Sequence, residues 1–179
     1  MLRTYGIFIL VLLAFCLDVP KSAYSAQSEE SRLKAVFVLN FAKLTEWPVD
    51  SRADSGTFTI AILGKAPSET FVKTLQQQTV HGAKVNVRYV ESVSDAKGAC
   101  LIYLSGLHRQ RLAGILRELN LQGVLTVSDM AGFCEAGGMI GLVPVEKRLG
   151  FEFNLVAVRQ ARLTVSSQLL KLAKTIIGN

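Results

Sequence analysis

A mixed, mainly parallel α/β sheet in a single domain, with helices on both faces and a C-terminal hairpin and helix, is the fold class that this sequence predicts. Three observations predict it. Short runs at 58–63, 99–104 and 124–127, apolar but for Thr59 and Thr126, alternate with stretches of helical periodicity, which is the spacing of βαβ units. Runs of that length without polar alternation are strands buried on both faces, as a parallel sheet requires. After Val127 the strand–helix alternation gives way to two further runs, 139–145 and 149–155, joined by the charged turn Glu146-Lys147-Arg148 as a hairpin, before a closing helix. With 179 residues, 50% hydrophobic and only 19% charged, the chain suits one ordered domain with a sizeable core.

Residues 1–25 read as an export signal: Arg3 gives the basic start, 7–17 an apolar core, and Ala23-Tyr24-Ser25 a small-x-small cleavage site. The apolar core is too short for the roughly twenty residues that span a bilayer. Cleavage is therefore expected, leaving a domain over 26–179. Losing Arg3, Lys21 and Asp18 lowers the formal charge from +6 to +5. Export, together with the lack of a basic cluster interleaved with aromatics, argues against a nucleic-acid partner. Arg109, Arg111 and Arg117 read instead as the solvated side of a helix, with a mild preference for anionic membrane surfaces.

The first helix is expected over 31–46, after a start favoured by Ser28, Ser31 and the acids Glu29-Glu30. Leu33, Val36, Phe37, Asn40, Phe41 and Leu44 recur at the spacing of a core face. Val38, Leu39 and Ala42 are apolar off that face, so the helix must be covered twice. The second cover is either a dimer mate, with Val38, Leu39 and Trp47 at the interface, or a neighbouring helix. Trp47-Pro48 ends the helix, and Trp47, the only tryptophan, is either a core plug or an interface anchor.

A strand at 58–63 stops at Gly64, and a helix over 67–77 begins with Pro67 in its first turn. His81-Gly82 turns the chain into a strand over 84–90, where Val85, Val87 and Tyr89 alternate with polar residues. A central strand at 99–104, a helix at 108–119 and a strand at 124–127 follow. In the hairpin, Phe151, Phe153 and Leu155 share one side, and Glu152 and Asn154 the other. Residues 166–177 are expected to close the chain as a helix, with Leu169, Leu172, Ala173 and Ile176 inward.

Catalytic candidates are few. Neither His81 nor His108 has an acid or cysteine at metal-ligand spacing, so no metal or cofactor is expected. Ser105-Gly106 sits between a strand and a helix, but the G-x-S-x-G elbow is missing. Gly137-Gly138-x-x-Gly141 leads into a strand, whereas a phosphate loop leads into a helix; its glycines fit a sharp turn or a close backbone approach. No enzyme activity is expected. A small ligand, if there is one, belongs at the carboxyl ends of the parallel strands, lined by Ser105, Ser128 and Asp129. Glu152 is the one acid inside the strands of the hairpin and reads as a solvated edge residue or a polar partner contact, with Asn154 beside it. Cys100 and Cys134, the only cysteines after the signal, read as buried inert thiols or as redox residues.

Three blocks carry a family resemblance. The first is K-A-V-F-V-L-N-F-A-K-L-T-E-W-P at 34–48. The second is V-L-T-V-S-D at 124–129, with F-x-x-x-G-G-M-I at 133–140 and F-E-F-N at 151–154. The third is L-T-V-S-S-Q-L-L-K-L-A at 163–173. In this order, and across most of the exported chain, they resemble the YfiR family of periplasmic repressors. The resemblance implies an α/β protein of a Gram-negative periplasm that represses a membrane-bound diguanylate cyclase by binding its periplasmic sensor region. Cyclic-di-GMP output and biofilm formation would fall, and an outer-membrane lipoprotein could sequester the repressor. A homodimer is expected, with the cyclase contact at Glu152, Asn154 and Val158. The family also implies two internal disulfides. Here Ala61 and Gly141 stand where the partners of the two remaining cysteines would be.

Overall fold

The computed structural model describes residues 21–48, 56–65, 67–107, 109–119, 122–146 and 148–178. His108 and nearly all of the expected export signal lie outside these residues. In chain order the elements are α1 (Lys21–Lys43), β1 (Thr45–Glu46), β2 (Thr57–Gly64), α2 (Glu69–Gln76), β3 (Thr79–Val80) and β4 (Ala83–Val90). A 3₁₀ turn (Ser94–Ala96), β5 (Leu101–Ser105), α3 (Arg109–Glu118), β6 (Leu125–Ser128) and the hairpin β7 (Ile140–Val145) and β8 (Arg148–Asn154) follow. The chain ends with α4 (Leu155–Gln160), β9 (Thr164–Val165), α5 (Ser167–Lys171) and β10 (Thr175–Ile177).

Eight strands form one sheet in the order β10-β8-β7-β6-β5-β2-β4-β3, and β1 and β9 form a separate antiparallel ribbon. Only the β7–β8 and β3–β4 pairs in the large sheet are antiparallel. The expected mixed, mainly parallel α/β fold is therefore the observed one. Ile60 stands opposite Leu101, and Leu101 opposite Leu125. Because strand side chains alternate, Ile60, Ile62, Leu101, Tyr103, Leu125 and Val127 all meet the core on the α1 and α2 side. Ala61, Leu63, Ile102 and Leu104 meet a second core closed by Leu112 and Leu116 of α3 and by Phe133. Burying each large aliphatic side chain contributes roughly 1.5–3 kcal/mol, so the continuous apolar runs of β2, β5 and β6 are what two covered faces need.

Helix α1 lies on the sheet with its stripe turned from the expected one. Ala35, Val38, Leu39 and Ala42 are buried, whereas Leu33 and Val36 are 44% and 41% exposed. The expected and observed stripes both obey the helical period. The two alanines decide between them, because small side chains let the helix come close to the sheet, and α2 packs alongside to cover the second flank. Val38, Leu39 and Trp47 are thus core residues of this chain, which corrects their assignment to a dimer interface. The indole of Trp47 packs edge-on against Phe58 at 5.2 Å and donates to the Cys100 carbonyl at 3.3 Å.

The C-terminus also differs from expectation. The single helix expected over 166–177 is a short α5, capped by the Ser166 hydroxyl, followed by β10, which pairs in parallel with β8. Leu172, expected inward, is 72% exposed. Leu155, expected on the strand face of Phe151 and Phe153, starts the unforeseen helix α4. The first change comes from the open edge of β8, whose backbone groups Thr175-Ile176-Ile177, rich in β-branched residues, satisfies; the second comes from Asn154, which caps α4 where the strand ends.

Candidate functional site

Packed against the hairpin, the N-terminal half of α1 leaves a groove of about 1160 Å³. Leu33, Val36 and Phe37 form one wall, and Leu142, Pro144 and Leu149 the other. Aromatic contacts fix the walls: Phe151 lies 5.9 Å from Phe37 and 5.0 Å from Phe41, edge to face. Toward the carboxyl ends of β5 and β6 the groove turns polar. There the Lys34 ammonium donates to Asp129 at 2.9 Å and pairs with Glu30 at 3.0 Å. Burial works against the charge on Lys34, but the bonds to Asp129 and Glu30 outweigh it and hold its pKa above the usual lysine value. Beside this pair Tyr103 is buried, and burial first, then the Asp129 charge, raises its hydroxyl well above the ordinary tyrosine range. The arrangement is an apolar trough closed at one end by an ion pair, suited to gripping a surface. Among the described residues no group of three His, Cys, Asp or Glu side chains could hold a metal.

The family model described as YfiR/HmsC-like matches residues 31–174. The chain belongs to the YfiR/HmsC-like family. That family is one of periplasmic regulators of diguanylate cyclase signalling. The groove walls, from Leu33 to Leu149, fall within the family match. No helix among the described residues is long and apolar enough to cross a membrane. In fold the chain is similar to the crystal structure of a conserved domain protein from Vibrio cholerae O1 biovar El Tor, with 13% identity and a TM-score of 0.53, covering 79% of this chain and 59% of that one. A Streptococcus pneumonia structure, described as the ABC domain in complex with L-Trp, aligns at 14% identity and a TM-score of 0.48, covering 78% and 59%. This chain thus spans less than two thirds of either protein. No curated protein matches it.

Within this YfiR/HmsC-like fold the residues expected to form the site scatter. Of the proposed ligand-binding trio only Asp129 reaches the groove. Ser128 is buried, its hydroxyl donating to Leu104 O at 2.7 Å and accepting from Met130 N–H at 3.0 Å, while Ser105 is half-buried outside the lining. Asn154 and Val158, expected at the partner surface, are buried at 8% and 1% exposure. The Asn154 amide donates to Cys134 O at 2.9 Å, and its carbonyl accepts from Ala157 N–H at 3.1 Å, which caps α4. Glu152 is half-buried in a strand flanked by β7 and β10, so it does not stand on a sheet edge.

Neither cysteine is in a disulfide. Burial pushes the Cys134 thiol up to about 12, far from the reactive thiolate range. A Cβ added at Gly141 would lie 3.4 Å from Cys134 Sγ, so the place expected for a lost disulfide partner is indeed beside this thiol. Cys100 packs against the α1-side core and Ala61 sits in the other, so the second expected pair is not brought together in the same way. His81 turns the chain with φ of 50° and places Nε2 3.0 Å from Thr45 O, a structural position. Gly138 passes against the Phe133 ring, where no Cβ would fit, and β7 follows, as a close-approach reading of these glycines requires.

Sequence reasoning missed Leu33, Val36 and Lys34. A signal existed for Lys34: it interrupts the apolar run from Leu33 to Leu39, and such a charge needs a partner when it is drawn inward.

Proposed function

We propose that this protein, exported with cleavage after Ser25, represses an inner-membrane diguanylate cyclase by binding its periplasmic sensor region, and so lowers cyclic-di-GMP and restrains biofilm formation. The observation that carries the reading is the family match across 31–174. The groove between α1 and the hairpin supplies a contact surface for it, in place of Asn154 and Val158. Leu33 and Val36, the large apolar side chains of α1 that stand exposed, are the anchors, and Arg148 and Glu146 at the hairpin turn are the polar rim. Repression follows if the groove grips the inactive arrangement of the sensor region more tightly than the active one, since only a difference in affinity shifts a population. Sequestration by an outer-membrane lipoprotein would compete for the same protein, and a homodimer would form through surfaces other than Val38, Leu39 and Trp47.

The test is a pull-down from detergent-solubilised host membranes, comparing the native protein with a Leu33→Asp/Val36→Asp variant. Both substitutions are at exposed positions and should change stability by less than about 0.5 kcal/mol each. Capture of a diguanylate cyclase by the native protein and not by the variant supports the reading. Equal capture by both moves the contact surface elsewhere. A folded native protein that captures no cyclase favours a second reading, a periplasmic small-molecule-binding protein. The size of the groove and the Lys34–Asp129 pair at its end favour that alternative.

A further inference from the structure

The cationic charge of this chain is concentrated at its end. Residues 148–179 hold Arg148, Arg159, Arg162, Lys171 and Lys174 against the single acid Glu152, and so carry +4 of the formal +6. All five cations are exposed, and none is in an ion pair among the described residues. Arg148 lies at the groove rim, and the elements bearing the other four adjoin on the β10 side of the sheet: β10 pairs with β8, α4 follows β8 directly, and Gly178 at the end of β10 abuts Val156 of α4. Two large apolar side chains stand out among these cations, Leu172 at 72% exposure between Lys171 and Lys174, and Val156 at 45%. Glu152, the one opposing charge, is half-buried between β7 and β10.

Unpaired cations stabilise neither the core nor one another. Exposed Lys171 and Lys174 flanking the exposed Leu172 suit a surface that offers many anions and an apolar layer just beneath. We infer that the β10 side of this protein is an interfacial patch that adsorbs to anionic phospholipid headgroups, with Lys171 and Lys174 at the charges and Leu172 entering the headgroup boundary. Adsorption would hold the protein at a membrane surface without a spanning helix, while the groove, built from α1 and the hairpin, stays available. The inference does not depend on the repressor reading, because its test contains no cyclase.

Protein purified after expression of the full chain is sedimented with phosphatidylethanolamine–phosphatidylglycerol vesicles and, separately, with neutral phosphatidylcholine vesicles, over rising salt. Binding to the anionic vesicles that declines steeply with salt, and little binding to the neutral ones, is expected. Lys171→Gln with Lys174→Gln should weaken partitioning by about thirtyfold, taking roughly fivefold per cation near such a surface. Lys84→Gln with Lys97→Gln makes the same charge change toward the far side of the sheet and should leave most of the binding. Equal loss with both double variants would reduce the effect to net charge and overturn the patch. Equal binding to neutral vesicles would assign it to apolar insertion, an attached leader included, and also overturn the patch. So would absence of vesicle binding alongside retention on heparin, which would point to a polyanion site.

Discussion

Gly141→Cys should restore a bridge to Cys134. An added Cβ at this position lies 3.4 Å from Cys134 Sγ and 3.8 Å from the Phe133 Cβ, both ordinary contacts, and Gly141 does not have the positive φ that would strain a side chain. With an S–S bond of about 2.04 Å, a disulfide holds the Cβ of one cysteine roughly 3 Å from the sulfur of the other, so a few tenths of an ångström of adjustment brings the new sulfur to its partner. The loop closed between positions 134 and 141 is short, and loop-closure entropy for roughly eight residues gives ~2.5 kcal/mol of stabilisation. In a domain of this size that corresponds to a rise in Tm of about 5–10 °C. Burial holds the Cys134 thiol near 12, so bridging must occur during oxidative folding, while the thiol is still exposed. The assay is a thermal melt of oxidatively refolded Gly141→Cys protein with and without reductant, with thiol titration of the denatured chain. Titratable thiols at both positions after oxidative refolding, or a bridged protein that melts no higher than its reduced form, would refute the assignment of these two positions as partners.

Two further outcomes follow from the polar contacts. Asn154→Ala removes the cap of α4 and one of two donors to the Cys134 carbonyl, which keeps Gly137 N–H at 3.2 Å; the change should cost roughly 1.5–3 kcal/mol in urea denaturation, and a loss below about 1 kcal/mol would mean that Asn154 is a surface residue after all. Asp129→Asn removes the main partner of Lys34. Because the pKa of Lys34 is raised on folding, the stability it contributes is present below its unfolded value of 10.5 and is lost as pH rises beyond that. The stability gap between native and Asp129→Asn proteins should therefore be flat from pH 6 to 9 and shrink above 10.5, read by chemical denaturation across pH. A gap that closed below pH 9 would refute the pairing.

The sheet was legible because two covered faces force continuous apolar runs, and 58–63, 99–104 and 124–127 have no other simple explanation. The rotation of α1 was not, for a physical reason: a helix apolar on two sides satisfies the helical period twice, and side-chain hydrophobicity favours Leu33 and Val36 over Ala35 and Ala42. Close approach to the sheet favours the reverse, and it prevails. At the C-terminus the periodic spacing of Leu169, Leu172 and Ile176 resembles an amphipathic helix over its first half only. Thr175-Ile176-Ile177 turns to the open edge of β8 because pairing there satisfies backbone groups that a lone last helical turn would leave in water.

These two departures, taken together, relocate the proposed contact surface. With β10 on its outer side, β8 can no longer present Glu152 and its neighbours as an edge, so the hairpin offers a partner only its turn and the wall made by Leu142, Pro144 and Leu149. With α1 rotated, Leu33 and Val36 arrive opposite that wall instead of in the core. The same rotation carries Lys34 to Asp129, where two bonds hold it. An exposed Leu–Val pair standing alone on a helix would be unremarkable, since scattered surface hydrophobes are normal. Here the pair faces a second apolar wall across a trough that also holds a partly buried ion pair, so the proposed grip combines an adaptable apolar contact with a fixed polar one. A substitution that loosens the Lys34–Asp129 end should therefore weaken partner capture even though neither residue need touch the partner.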